Sequence, residues 1–410
     1  SIGESSSPKV FLDNIHISVQ DYGSVFQRTG VTVKGSATLR VFRSSIAGCV
    51  TTTPISVGLS LVSTGLSIEG GTVVIYASTI RGGFAGNLYS GLGSTSRGIN
   101  IVGSGMYAVH VQASVIDGGT AVTESGSAIV SGISNESTAT SGLLLVNRSR
   151  IFGGIAQSTS GNVSSYGINA MNSSAAEDLI VYNSMISGGQ ALGSAAGAVT
   201  YGIYTNNNAS FCIAGNVIDT GRALGTSGLR KVTGVYIDGT QNGNTAIVCN
   251  LFLSTGDKNL VYDASSAVVS ETNTNFVGGA PGTVAGNTVV LSQDEGYYNV
   301  GNYFYVGGAD NSANYSFNRF SLTMGQKYSD VFGKFLVPAA TMLFTRFDEW
   351  MSGNYWKIQP AFLNFTNNTN VNTVPNFVQT LLPDDLPSLL FDLVGNPRPA
   401  SGIWKVGAFE

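Results

Sequence analysis

The chain has 410 residues, 11% of them charged, 53 glycines and a net charge of −4. That length is ample for a large core, and the sparse charge, with no basic run, excludes a nucleic-acid surface built on phosphate contacts. The most apolar run, residues 335–344, is too short to span a bilayer and contains Pro338, so no membrane-spanning helix is expected.

Residues 1–34 read as an N-terminal strand or cap, with Val10, Leu12, Ile15, Ile17 and Val19 available for a first rung. The chain begins at Ser1 without Met, and the expectation is an exported protein whose signal peptide has been removed.

Residues 35–290 repeat. Apolar anchors stand at Ile46, Ile80, Ile116, Ile151, Ile186, Ile218 and Phe252, at spacings of 34, 36, 35, 35, 32 and 34. A period in this range signals a repeat architecture. Five residues before each anchor stand Val41, Ile75, Val111, Val146, Val181, Ile213 and Ile247. Apolar residues two apart mark short strands with one face inward. No segment of 35–290 holds an apolar stripe at helical spacing over three turns.

Two residues before each anchor stands a small polar residue: Ser44, Ser78, Ser114, Ser149, Ser184, Asn216 and Asn250. One such residue per period predicts a ladder in which each side chain bonds to the copies above and below. A second series, Gly98-Ile99, Gly132-Ile133, Gly167-Ile168, Gly202-Ile203 and Gly234-Val235, keeps step with the first. Gly is expected there to permit a tight corner.

The reading is an all-β, right-handed parallel β-helix with about 35 residues per coil. A hairpin sandwich would show turn signals every 8–12 residues and leaves the ladder position unexplained.

Residues 291–360 are rich in aromatics, among them Tyr303, Phe304, Tyr305, Trp350 and Trp356. They read as further coils with larger core residues, ahead of a protein contact or a sugar-stacking face. Residues 361–410 form an irregular closing segment.

Within that segment, Gln359-Pro360-Ala361-Phe362-Leu363-Asn364 resembles a Pro-x-Phe-x-Asn element late in secreted bacterial right-handed β-helix repeat proteins of the choice-of-anchor type. Asp392, Gly395 and Arg398, then Gly407 and Glu410, are similar to their terminal signature, Asp-x-Asp-Gly-x-x-Arg followed by Asp-Ile-Gly-Ala-Tyr/Phe-Glu. Val394 and Lys405 stand where that signature has acids, so Arg398 is left to lean on Asp392 or Glu410. The resemblance implies a bacterial cell-surface or extracellular protein and no single activity.

Chemistry-bearing residues are scarce. The position after each anchor, expected to face solvent, holds Ala47, Arg81, Asp117, Phe152, Ser187, Asp219 and Leu253. Arg81 and Asp117 would meet on adjacent coils as a surface ion pair. The acid pairs Glu177-Asp178 and Asp384-Asp385 are placed in loops. His110, between Val109 and Val111, should face outward, and Cys49, Cys212 and Cys249 read as packing residues. Tyr166 and Tyr201, one coil apart, predict a short aromatic stack.

No nucleophile elbow, Walker loop, His-Glu-x-x-His or calcium-binding ladder is present, so no catalytic residue, cofactor or metal ligand is assigned. The expected function is that of a non-enzymatic structural or adhesive protein. Its partners would be copies of itself, as homo-oligomer or polymer, and the cell envelope. The competing reading is a carbohydrate-binding or carbohydrate-active β-helix with a glycan partner.

Overall fold

The computed structural model describes residues 7–20, 27–50, 58–171, 177–193, 197–206, 210–224, 230–238 and 245–248, short strands between 251 and 310, and residues 396–397. All the regular elements among them are strands, and nearly all pair in parallel. The chain is an all-β parallel solenoid.

One coil shows the plan. Tyr107–Gln112 lies in a first sheet, Val115–Asp117 and Thr120–Thr123 in a second, and Ala128–Asn135 in a third. Each pairs in parallel with its equivalents one coil away on either side. The two parts of the second sheet are joined one coil earlier, where Thr79–Asn87 runs unbroken through both. The strands Lys9–Asp13, His16–Val19 and Gln27–Val33 form a first coil of the same plan, pairing with Thr38–Phe42, Ser45–Cys49 and Leu61–Ile68.

The anchors stack in register from Ile46 to Phe252. Those from Ile46 to Ile218 are fully buried, as are Val41, Ile75, Val111, Val146 and Val181 in the first sheet. Stacking identical side chains one coil apart fills a narrow interior without voids, which is the packing a core requires.

The corner between the first and second sheets explains the serines. Each such corner holds one residue in the left-handed region: Arg43, Ala77, Ala113, Arg148 and Asn183, with φ of 47–49°, then Gly215 at 62°. The next residue is the buried ladder residue. The backbone N–H of Ser44 donates to Ser78 Oγ, that of Ser78 to Ser114 Oγ, and that of Ser114 to Ser149 Oγ, at 3.0, 3.1 and 3.2 Å. The series continues from Ser149 to Ser184 Oγ and from Ser184 to Asn216 Oδ1. Each hydroxyl also donates back to the carbonyl two residues earlier, as Ser114 does to Gln112 at 2.7 Å. The ladder therefore runs side chain to backbone, whereas the sequence suggested side chain to side chain. Leaving this corner's buried N–H groups without an acceptor would cost about 1–3 kcal/mol each. Asn250 and the C-terminal residues Asp392, Gly395, Arg398, Gly407 and Glu410 lie outside the described residues.

The Gly–apolar series is not a corner. Gly132 sits in the middle of Ala128–Asn135. A Cβ there would meet Ile151 Cγ2, Gly167 O and Phe152 O at 2.7 Å. Gly65, Gly98, Gly167 and Gly202 are equally closed in. The glycines thus admit the opposing anchor isoleucine and let two backbones approach.

The second corner belongs to the Gly-Gly pairs, whose second members Gly83, Gly119, Gly154 and Gly189, with Gly221, have φ of 74–99°. Asp117 Oδ1 accepts the N–H of Gly119, and Asp219 Oδ1 that of Gly221. Ser187 Oγ does the same for Gly189. These are turn-capping side chains that hold the bend.

Candidate functional site

The outer face of the third sheet departs from the rest of the surface. Arg97 precedes the inward Gly98, while Ser134 lies two residues beyond the inward Gly132. Yet Arg97 Nη2 and Ser134 Oγ both reach Glu136 Oε1, at 2.8 and 3.0 Å. A plain strand alternates faces, so this placement requires one extra inward residue per strand, a break in the alternation at the Gly–apolar pair that every strand of the sheet shares in register. The pairing register indeed skips the glycines.

The break creates two neighbouring outward columns. One holds Thr64, Arg97, Ser131, Tyr166, Tyr201 and Thr233; the other holds Ser67, Asn100, Ser134, Asn169, Tyr204 and Tyr236. From the coil of Thr64 to that of Thr233, neither contains an aliphatic residue. Toward the C-terminal coils the strip becomes aromatic. Tyr166 and Tyr201 stack at 5.3 Å with their rings 11° apart, and Tyr204 and Tyr236 stack at 5.2 Å and 10°. The two stacks meet edge to face, a favoured aromatic geometry. Burial raises the Tyr166 phenol above its usual range, aided by the charge of Glu136.

Toward the N-terminal coils the strip is polar. Thr64 Oγ1, Arg97 Nε, Asn100 Oδ1, Ser131 Oγ and Asn169 Oδ1 are buried and have no hydrogen-bond partner among the described residues. Buried polar atoms are ordinarily satisfied, so a row of such atoms on one face sets that face apart. The sequence pointed to the Tyr166–Tyr201 stack but not to Tyr204, Tyr236 or the polar row, because the break in alternation that aligns them is invisible in the pattern.

The other candidates prove to be scaffold. Arg81 and Asp117 are paired in register, with Nε–Oδ2 at 4.0 Å. Their position does not face open solvent throughout, since Ala47, Phe152 and Ser187 are buried. Burial raises the Asp117 and Asp219 carboxyls, opposed by the N–H groups they cap, by Arg81 for Asp117, and by Ser187 for Asp219.

Glu177 is no loop residue. It begins the strand Glu177–Tyr182 in register with Gly142 and is fully buried. Burial pushes its carboxyl up to about 7, against Ser137, Tyr107 and Asn135, which draw it down. The same burial, with the charge of Glu177, raises the Tyr107 phenol.

His110 is half-buried, flanked by the buried Val109 and Val111, and burial lowers its imidazole below the usual range. Cys49 is a buried thiol whose sulfur lies 3.6 Å from Arg28 Nη1, at the N-terminal end of the interior. The described residues contain no group of His, Cys, Asp and Glu able to hold a metal.

At the N-terminal end, the strands Lys9–Asp13 and Gln27–Val33 are terminal in their sheets. Beside that edge Phe11 is 58% exposed and Tyr76 40%, with Ile15 also exposed. Phe11 stacks on Phe42 at 5.0 Å, and Phe42 touches Tyr76. An exposed apolar cluster next to an open sheet edge is a ready contact surface.

No family model, curated protein or solved structure matches this chain.

Proposed function

We propose that this protein is a non-enzymatic structural component, exported and surface-exposed, that associates with copies of itself through its N-terminal coil. The carrying observation is the cluster of exposed Phe11, Ile15 and Tyr76 with half-buried Phe42, beside the terminal strands of the described sheets. Three further features agree with this reading. Asp117 and Asp219 are committed to capping turns, the ladder hydroxyls to backbone N–H groups, and Glu177 to the interior. Sparse charge also leaves little repulsion between copies.

Electron microscopy and sedimentation of the purified protein test this. Filaments, sheets or concentration-dependent oligomers are expected, and the double variant Phe11→Ser, Tyr76→Ser should shift the population toward monomer. Monomers at every concentration, unchanged by the variant, would sink the proposal.

A second reading, glycan binding, is favoured by the strip on the third sheet. The two tyrosine stacks, Tyr166–Tyr201 and Tyr204–Tyr236, offer flat rings of the kind that stack on sugar rings. A glycan array with the wild type and Tyr204→Ala would separate the two readings. Binding lost in the variant supports this one, and no binding removes it.

A further inference from the structure

The strand Lys9–Asp13 reads Lys-Val-Phe-Leu-Asp. Among the described strands it pairs only with Thr38–Phe42, which leaves its other edge open. That pairing fixes which backbone groups face the open edge. Pro8 O accepts the N–H of Thr38, and the N–H of Asn14 donates to Phe42 O. The even-numbered residues thus turn toward Thr38–Phe42, and alternation turns the N–H and C=O groups of Lys9, Phe11 and Asp13 toward the open edge.

The side chains of the same three residues share the outer face. Val10 and Leu12 stand in register with the buried Leu39 and Val41, so their neighbours in the strand point the other way. Lys9 and Phe11 are exposed. Asp13 holds Arg43 Nε and Nη2 at 3.0 and 2.6 Å, yet its side chain is still 34% exposed.

Such a strand complements itself. Laid antiparallel on a second copy about a two-fold axis at Phe11, it sets Phe11 opposite Phe11, Val10 opposite Leu12 and Lys9 opposite Asp13. The residues whose backbone groups this register hydrogen-bonds are the three that face the open edge. Slipped registers lose the match. One centred on Val10 or Leu12 leaves Lys9 or Asp13 opposite Phe11. One centred on Lys9 or Asp13 sets like charges opposite each other, which destabilises the pair. Only the register centred on Phe11 satisfies charge and apolar pairing together. It also joins the ring series Phe11, Phe42, Tyr76 of one copy to that of the other.

We propose that two copies of this chain join at their N-terminal coils through antiparallel pairing of Lys9–Asp13 with itself, centred on Phe11. The inference rests on the self-association proposed above and gives that contact its geometry. Rings and backbone bonds supply the affinity, and the two Lys9–Asp13 pairs select the register. The contact is isologous, so it closes on itself and yields a dimer.

Two charge variants of the full chain, Lys9→Asp and Asp13→Lys, test the register. In dimers of Lys9→Asp acids face acids, and in dimers of Asp13→Lys lysines face lysines. In the mixed dimer every pair is again of opposite charge. Sedimentation at low ionic strength reads the dimerisation, and native mass spectrometry of light and heavy proteins identifies mixed dimers. Each variant alone is expected to dimerise about tenfold more weakly than the wild type, with mixing restoring association as mixed dimers. Asp13→Lys also gives up the exposed bond to Arg43, which mixing does not restore, so recovery on mixing reports the register. A wild type that associates while the variants behave like it, or fail to recover on mixing, overturns the register and leaves self-association standing. A wild type that stays monomeric at every concentration overturns both.

Discussion

Ala77 and Ala113 hold φ of 48° and 49°, a conformation that costs an L-residue about 1–2 kcal/mol. Gly215 occupies the same corner without that cost. Ala113→Gly is therefore expected to raise stability by about 1 kcal/mol, read as a higher denaturation midpoint at unchanged slope. Glu177 acts in the opposite sense. Its folded-state pKa is raised from 4.5 to about 7, so the folded chain holds the proton more tightly than the unfolded one. Its contribution is fully present below pH 4.5 and is lost as pH rises through about 7. Stability should fall across that window by on the order of 2 kcal/mol. Glu177→Gln should flatten the profile and exceed the wild type at about pH 8, as chemical denaturation at several pH values would show.

Each strand of the third sheet carries two demands at once. It must approach the anchor isoleucine opposite, and it must present two outward columns on one face. The glycine, with the break in alternation beside it, meets both. A Cβ at Gly132 would press on backbone carbonyls that cannot swing aside, as well as on Ile151. Gly132→Ala is expected to cost about 2 kcal/mol or more by overpacking. It should also disturb the alignment of Ser131 and Ser134, so thermal melting and tyrosine fluorescence should change together. The ladder works at the same scale. It satisfies the corner N–H groups from Ser44 to Ser184 with side chains from the next coil, so each corner depends on its neighbour.

The whole solenoid stacks coils that bury little alone, so its stability resides in the interfaces between coils. Such a stack has ends, and the N-terminal end joins open strand edges to an apolar cluster. Association through that end is hydrophobic and backbone-mediated. It should therefore survive high salt, in contrast to contacts between exposed charges, which are screened within about 10 Å at 0.1 M. Sedimentation at low and high ionic strength gives the comparison, and dissociation by salt would point to a charged interface instead.

The period, the inward faces, the serine positions and the Arg81–Asp117 neighbourhood were legible in the sequence, because stacking in register repeats the same side chain at a fixed interval. Side-chain direction at irregular backbone was not. The glycine series looked like a corner and lies in mid-strand, where the alternation of faces breaks, so the columns that hold Tyr204 and Tyr236 could not be aligned from spacing. Glu177 looked like a loop acid because nothing local marks the first residue of a buried strand. Tertiary structure alone decided that Glu177 begins a buried strand and that Ser134 shares a face with Arg97, since both depend on the backbone path and not on the repeat. Periodicity records contacts between neighbouring coils, and it carries no record of contacts that occur only once.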